Sequence, residues 1–136
     1  MDQKDLQEKY LLYQILSQNV EQMKQQLQLV EQQRLDIQIT QDSLRDVGKL
    51  KKENEIMIPL GSGCYAEGNL SNSRGFHVNI GSGVILKKDA KELLDFLDAK
   101  EKEIGKASKE IQEEILMANR KLDEIALDLQ KHQKPS

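Results

Sequence analysis

Apolar residues in the first third of the chain recur every 3.5 positions, in alternating steps of three and four residues. Counted from Leu6 to Leu44, this seam has twelve positions, and nine of them are apolar. The polar exceptions are Lys9, Arg34 and Gln41. Because Gln, Glu, Asp and Lys occupy the other faces, the stripe is as narrow as the seam of a coiled coil. The pattern predicts one long coiled-coil helix that ends around Gly48.

The last third of the chain predicts a second helix. Asp89 is a suitable N-cap, and Glu92 follows three residues later, which is the spacing of a capping box. An apolar seam comes next, with an irregular step between Ile104 and Ile115 that should relax the supercoil. Its members are Leu93, Leu97, Ile104, Ala107, Ile111, Ile115, Ala118, Leu122, Ile125 and Leu129. We expect the two helices to fold back on each other and hide both seams.

Between the two helices the period changes from 3.5 to 2. Residues 76–80 place three apolar side chains on one face and two polar ones on the other, which predicts a half-buried strand. Three further β-rich runs lie at 55–60, 64–70 and 84–88. Near-identical Gly-Ser-Gly links at 61–63 and 81–83 have the length of hairpin turns, and a polar loop at 70–75 joins the hairpins. The predicted order is helix, hairpin, hairpin, helix.

The predicted fold is therefore α+β, a long antiparallel coiled-coil helical hairpin with two central β-hairpins. We expect a single domain in which 1–50 is the first helix, 55–87 the two β-hairpins and 89–131 the second helix. If each helix buries its apolar stripe against the other, no helix is left to cover the strands. Their apolar face should then meet other subunits in an intersubunit β barrel. The expected oligomerisation residues are Ile56, Ile58, Leu60, Phe76, Val78, Ile80, Val84 and Leu86.

Composition narrows the class of protein. Hydrophobic residues make up 38% of the 136 residues and charged residues 32%, so a large globular core is not expected. The net charge of −3 gives no electrostatic reason to bind nucleic acid or an anionic membrane. Cys64 is the only cysteine, which fits a reducing compartment, and the charged first residues do not resemble a secretory signal. We expect a cytoplasmic protein.

No arrangement of residues predicts catalysis. Gly63 and Gly68 have the spacing of a phosphate-binding loop, but Asn69 and Leu70 stand where Lys and Ser or Thr would be needed. The two histidines and Cys64 lack the spacing of a zinc site. We therefore expect no enzyme activity, no cofactor and no metal.

Near both ends of the chain, apolar residues off the seam join those of the seam, and an antiparallel hairpin would make the two groups neighbours. They could pack on each other, or they could form an adaptable apolar tip that holds non-native chains. The expected client-binding residues are Leu6, Tyr10, Leu12, Ile125, Leu127 and Leu129.

Two segments carry a resemblance to a known family. The residues Pro59, Leu60, Gly61 and Gly63 form the first motif. The second motif comprises Val78, Ile80, Gly81, Gly83, Lys87 and Lys88. Together, the segments 56–68 and 78–97 resemble the alpha-type subunit of prefoldin. The presence of two hairpins points to the alpha type, because the similar beta type carries one.

The resemblance implies an ATP-independent holdase in a hexamer of two alpha and four beta subunits. Such a hexamer has a β-barrel body and six coiled coils, and it hands unfolded clients to a group II chaperonin in an archaeal or eukaryotic cytosol. A rival interpretation from another class is a structural coiled-coil adaptor or filament-forming subunit that binds one folded partner. A fixed partner would require a specific polar and aromatic pattern at the tips, whereas loose Leu, Ile and Tyr suit promiscuous binding.

Overall fold

The computed structural model describes residues 2–50, 55–70 and 75–132. It contains two long helices and two small antiparallel β-hairpins, the α+β arrangement that the sequence predicts. The elements in chain order are α1 (Gln3–Gly48), β1 (Glu55–Gly61), β2 (Cys64–Asn69), β3 (Phe76–Gly81), β4 (Val84–Lys88) and α2 (Ala90–His132). The predicted loop between the hairpins lies mostly outside the described residues.

An aspartate caps the start of each helix. The backbone N–H of Asp5 donates to Oδ1 of Asp2 at 2.9 Å, and the N–H of Glu92 donates to Oδ1 of Asp89 at 2.8 Å. Each bond satisfies one of the amide groups that a helix leaves unpaired in its first turn. The N-cap predicted at Asp89 and the helix end predicted around Gly48 are both confirmed.

The chain packs as two compact units, Met1–Arg34 with Glu103–Ser136, and Leu35–Lys102. In the first unit α1 and α2 run antiparallel, because Lys9 pairs with Asp128 while Glu31 pairs with Ser108. The buried apolar side chains of this unit are Val20, Ile111, Ile125 and Leu129. All are positions of the predicted seams.

The first unit also contains a buried polar residue that the seam pattern did not predict. Ser108 is 1% exposed and lies where the spacing of the α2 seam is irregular. Its hydroxyl donates to a carboxylate oxygen of Glu31 and accepts a hydrogen bond from Nε2 of Gln112 at 3.2 Å. The irregular step thus brings a serine into the seam beside Ala107, and two side chains satisfy its hydroxyl.

The second unit is built around Leu44, Leu93 and Leu97, which are buried together. The partly buried side chains packed against them are Ile37, Phe76, Val78, Leu94 and Phe96. The expectation that no helix remains to cover the strands is therefore wrong for the start of β3. The start of α2 carries a wider apolar stripe than a coiled-coil seam, so it contacts both α1 and β3.

The two hairpins have the same turn. In each, the central Ser and Gly have positive φ, at 52° and 78° for Ser62 and Gly63 and at 52° and 75° for Ser82 and Gly83. This combination is that of a type I′ turn, which suits the twist of paired strands. The glycine before each turn has a φ above 100° and lies where the strand register shifts. An L side chain would be strained in that conformation.

Candidate functional site

The β-hairpins expose large apolar side chains instead of burying them within the chain. Of the eight predicted oligomerisation residues, three are half-buried, namely Ile56, Phe76 and Val78. The other five are exposed, from 41% for Leu86 to 68% for Leu60. Val78 stands directly opposite Leu86 in the register of β3 and β4, so both lie on the face that the alternation predicts.

The opposite faces of the hairpins also carry apolar residues. Met57 and Tyr65 on the first hairpin and Ile85 on the second are all more than half exposed. The sequence contained a signal for them, because residues 56–60 and 84–86 are continuous apolar runs without alternation. Such runs are typical of strands that are covered on both faces.

Two of the six predicted client-binding residues do not reach the surface. Ile125 and Leu129 are 4% and 7% exposed and belong to the core of the first unit. The seam period of α2 places them there, since a seam residue faces the other helix. They can support a binding surface from below but offer almost no area to a client.

The remaining four predicted residues lie at or near the surface. Leu6 is half-buried, whereas Tyr10, Leu12 and Leu127 are exposed. Leu11 and Ile15 add further exposed apolar area on α1. The first unit therefore presents aliphatic and tyrosine side chains near the start of α1 and the end of α2.

An ion pair lies beside these apolar residues. Nζ of Lys9 donates to Oδ2 of Asp128 at 2.7 Å, and this hydrogen bond lowers the pKa of the Asp128 carboxyl. Lys9 occupies a seam position, where the bond gives its ammonium group one partner. The polar seam residue thus links the start of α1 to the end of α2.

The described residues offer no site for metal-based chemistry. No group of three or more His, Cys, Asp or Glu side chains among them could hold a metal ion, and Cys64 is exposed. Neither α1 nor α2 is long and apolar enough to cross a membrane. What the described part of the chain does offer is apolar contact area, on the hairpins and near the helix ends.

Comparison with known proteins agrees with this arrangement. A family model described as "Prefoldin subunit" matches residues 16–134. The prefoldin subunit alpha of Pyrococcus horikoshii is 26% identical over 131 residues, which cover 96% of this chain and 88% of that protein. The prefoldin subunit alpha of Methanococcus vannielii is 30% identical over 118 residues, with 79% of each chain covered.

A solved structure shares the fold. A chain in the cryo-EM structure of filamentous prefoldin from Methanocaldococcus jannaschii superposes with a TM-score of 0.74 at 13% identity, covering 90% of this chain and 98% of that chain. The match of the family model over most of the chain, together with the alpha-subunit relatives, assigns both the family and the type of subunit. This chain belongs to the prefoldin family as an alpha-type subunit, which gives it a chaperone-type role and not an enzymatic one.

Proposed function

We propose that this chain joins beta-type subunits in a hexamer of two alpha and four beta subunits. The hexamer holds unfolded proteins without ATP and passes them to a group II chaperonin in the cytoplasm. The observation that carries the proposal is that each compact unit has an exposed apolar surface of its own. The hairpin surface serves assembly, and the helix-end surface serves clients.

Assembly is supported by the state of the strands. Each hairpin is a two-stranded sheet, and a sheet of two strands has little stability in water unless it is covered or extended. Unpaired strand edges next to exposed Leu60, Ile80 and Val84 favour pairing with other chains. Closing these sheets into an intersubunit barrel would bury the apolar face at a gain of about 25 cal/mol per Å².

Within that barrel the eight oligomerisation residues have two roles. Phe76 and Val78 anchor β3 to the helices of their own chain. Ile80 and Val84 lie nearer the turn, and Leu86 stands opposite Val78 on the other strand; all three are exposed, so they contact the neighbouring subunits. Ile56, Ile58 and Leu60 contribute in the same way from the first hairpin.

Client holding is supported by the composition of the helix ends. Leu6, Tyr10, Leu12 and Leu127 provide apolar area with no fixed polar pattern, which suits unfolded chains of many sequences. Each contact is weak, but several coiled coils in one complex raise the effective concentration of binding sites. Ile125 and Leu129 hold this surface in place from the seam.

A paired substitution tests the assembly face. In Leu86→Asp a charge enters the proposed barrel, whereas Lys87→Asp places the same charge on the opposite face of the same strand. We expect the Leu86 variant to fail to sediment as a hexamer with beta-type subunits, while the Lys87 variant assembles. A hexamer of normal mass from Leu86→Asp would show that the face is assigned wrongly.

A second pair of variants tests client holding. Tyr10, Leu12 and Leu127 are replaced by Ser in one, and Leu116 and Met117, which are at least as exposed on average, are replaced by Ser in the other. Suppression of aggregation of a denatured protein, and its later transfer to a group II chaperonin, should fall only in the first variant. If both variants protected the denatured protein equally well, the helix ends would be excluded as the client-binding site.

The similarity to a chain from a filamentous prefoldin favours one second candidate, a filament-forming structural subunit. A filament would grow in mass as the protein concentration rises, whereas a hexamer keeps a constant mass. Sedimentation over a wide concentration range therefore separates the two functions.

A further inference from the structure

One face of α1 carries no charge over six turns of the helix. Between residues 11 and 32 this face repeats every 3.5 positions, opposite the seam. Its members, which we term the uncharged α1 face, are Leu11, Ile15, Gln18, Gln22, Gln25, Leu29 and Gln32. All seven are exposed, and Leu29 is 62% exposed.

The facing helix is different. The corresponding exposed positions on α2 are Glu110, Glu113, Met117, Arg120, Glu124, Leu127 and Lys131, of which five are charged. A charged outer face is the ordinary state of a helix in water. The absence of charge is therefore a property of α1 and not of both helices.

We propose that the uncharged α1 face holds extended, uncharged segments of unfolded proteins. This inference rests on the proposed holdase function and names the class of client segment. A glutamine amide both donates and accepts hydrogen bonds, so it can pair with either the N–H or the C=O of an extended backbone. Leu11, Ile15 and Leu29 would bury apolar client side chains beside these amides.

The dimensions of the face suit such a segment. At about 1.5 Å per residue, the helix rises about 32 Å from Leu11 to Gln32. An extended chain covers that length with about ten residues, at about 3.3 Å each. Segments of this kind with low net charge are also those that aggregate when exposed.

The absence of charge on the uncharged α1 face determines which kind of binding partner we favour. A second coiled-coil helix would need apolar knobs along its whole seam, but glutamine occupies four of the seven positions, including three in succession. A charged segment would lose water without gaining an opposite charge on this face. An uncharged extended segment loses the least favourable hydration on binding, and it can form hydrogen bonds with the glutamine amides.

The test uses the full chain assembled with beta-type subunits. In one variant Gln18, Gln22 and Gln25 are all changed to Glu, and in another all three are changed to Lys. The probes are two labelled peptides of about twelve residues, one of Leu, Val, Ser and Gln and the other with a Lys or Glu at every third position. We expect wild type to prefer the uncharged peptide, and both variants to bind it about tenfold more weakly.

Matched controls place the same change in net charge on α2. Lys109→Gln with Arg120→Glu matches the Glu variant, and Glu110→Gln with Glu113→Lys matches the Lys variant. Neither control should weaken binding of the uncharged peptide. Circular dichroism and sedimentation confirm that the helices and the hexamer are intact in every variant.

Other results would overturn the inference. If both α1 variants bound the uncharged peptide as wild type does, the uncharged α1 face would be excluded as a binding site. The proposed holdase function would still stand if the variant at Tyr10, Leu12 and Leu127 lost its protection of a denatured protein. If only the Glu variant or only the Lys variant bound the uncharged peptide more weakly, the face would bind a charged partner instead. The wild-type complex could instead be larger than a hexamer, and both α1 variants could reduce it to a hexamer. That result would mean that the face binds another copy of this chain. A wild type that binds neither peptide and protects no denatured protein would end the proposed function itself.

Discussion

Gly105 of α2 lies against the guanidinium of Arg34, and a Cβ atom built on the glycine would stand 3.5 Å from Cζ of the arginine. That distance is an ordinary van der Waals contact, so the site has room for alanine. Glycine inside a helix costs about 1 kcal/mol relative to alanine. We predict that Gly105→Ala raises the free energy of unfolding by up to about 1 kcal/mol, measured by urea denaturation followed by circular dichroism.

Gly105→Leu is the control, because its longer side chain must displace the guanidinium and should lower stability. If Gly105→Ala also lowered the free energy of unfolding, the arginine would need a closer approach to the α2 backbone than 3.5 Å.

Gln41 is the most buried polar position of the α1 seam, at 7% exposure, and its Nε2 donates to Oδ1 of Asp98 at 2.7 Å. Asp98 is exposed, so water can replace this donor. We predict that Gln41→Leu raises the free energy of unfolding by about 1 kcal/mol, since the gain in apolar burial exceeds the loss of one hydrogen bond. Gln41→Ala should lower the free energy of unfolding instead. If Gln41→Leu also lowered it, the hydrogen bond would outweigh apolar burial at this position.

The turn of the second hairpin depends on Gly81. Its φ of 117° strains any residue with a Cβ, and its N–H donates to Oδ1 of Asn79 at 2.9 Å. We predict that Gly81→Ala destabilises the hairpin by about 1–2 kcal/mol, seen as faster hydrogen exchange of the amides that pair β3 with β4. Ser82→Asn is the matched change within the same turn and should not speed exchange, because Asn tolerates a positive φ.

Asp89 makes the stability of α2 depend on acid. The N–H of Glu92 donates to its carboxylate and lowers the pKa of Asp89 below 3.8. A lowered pKa in the folded state stabilises the protein above the unfolded pKa, and this contribution disappears as the pH falls through the folded value. The melting temperature of wild type should therefore exceed that of Asp89→Asn at pH 6, with the difference shrinking below pH 4. A difference that stayed constant down to pH 2 would show that the charge of Asp89 does not matter.

The helices could be predicted from local pattern alone. All twelve predicted seam positions of α1, including Lys9 and Gln41, are buried or half-buried. A 3.5-residue repeat over many turns leaves a helix only one way to face its neighbour. Ser108 was missed because nothing local distinguishes a seam serine from a surface serine where the repeat is irregular.

Contacts between distant segments could not be predicted in the same way. Alternation showed which face Phe76 and Val78 share, but not that they would pack against a cluster of Leu44, Leu93 and Leu97. At the helix ends, an excess of apolar residues did not separate the buried Ile125 from the exposed Leu127, although the seam period did. Periodicity identifies a face, and only the packed structure shows what that face meets.

A single residue separates β4 from α2, since the strand ends at Lys88 and the helix begins at Ala90. The backbone angles of Asp89 therefore set the direction in which the helix leaves the sheet, and the N-cap bond to Glu92 holds those angles. A residue inserted between Lys88 and Asp89 would change that direction and disturb the packing of Phe76 against the cluster of Leu44, Leu93 and Leu97. The junction is short and held by a hydrogen bond, so a hairpin fixed in an assembly would also fix the direction in which the first turns of α2 leave it.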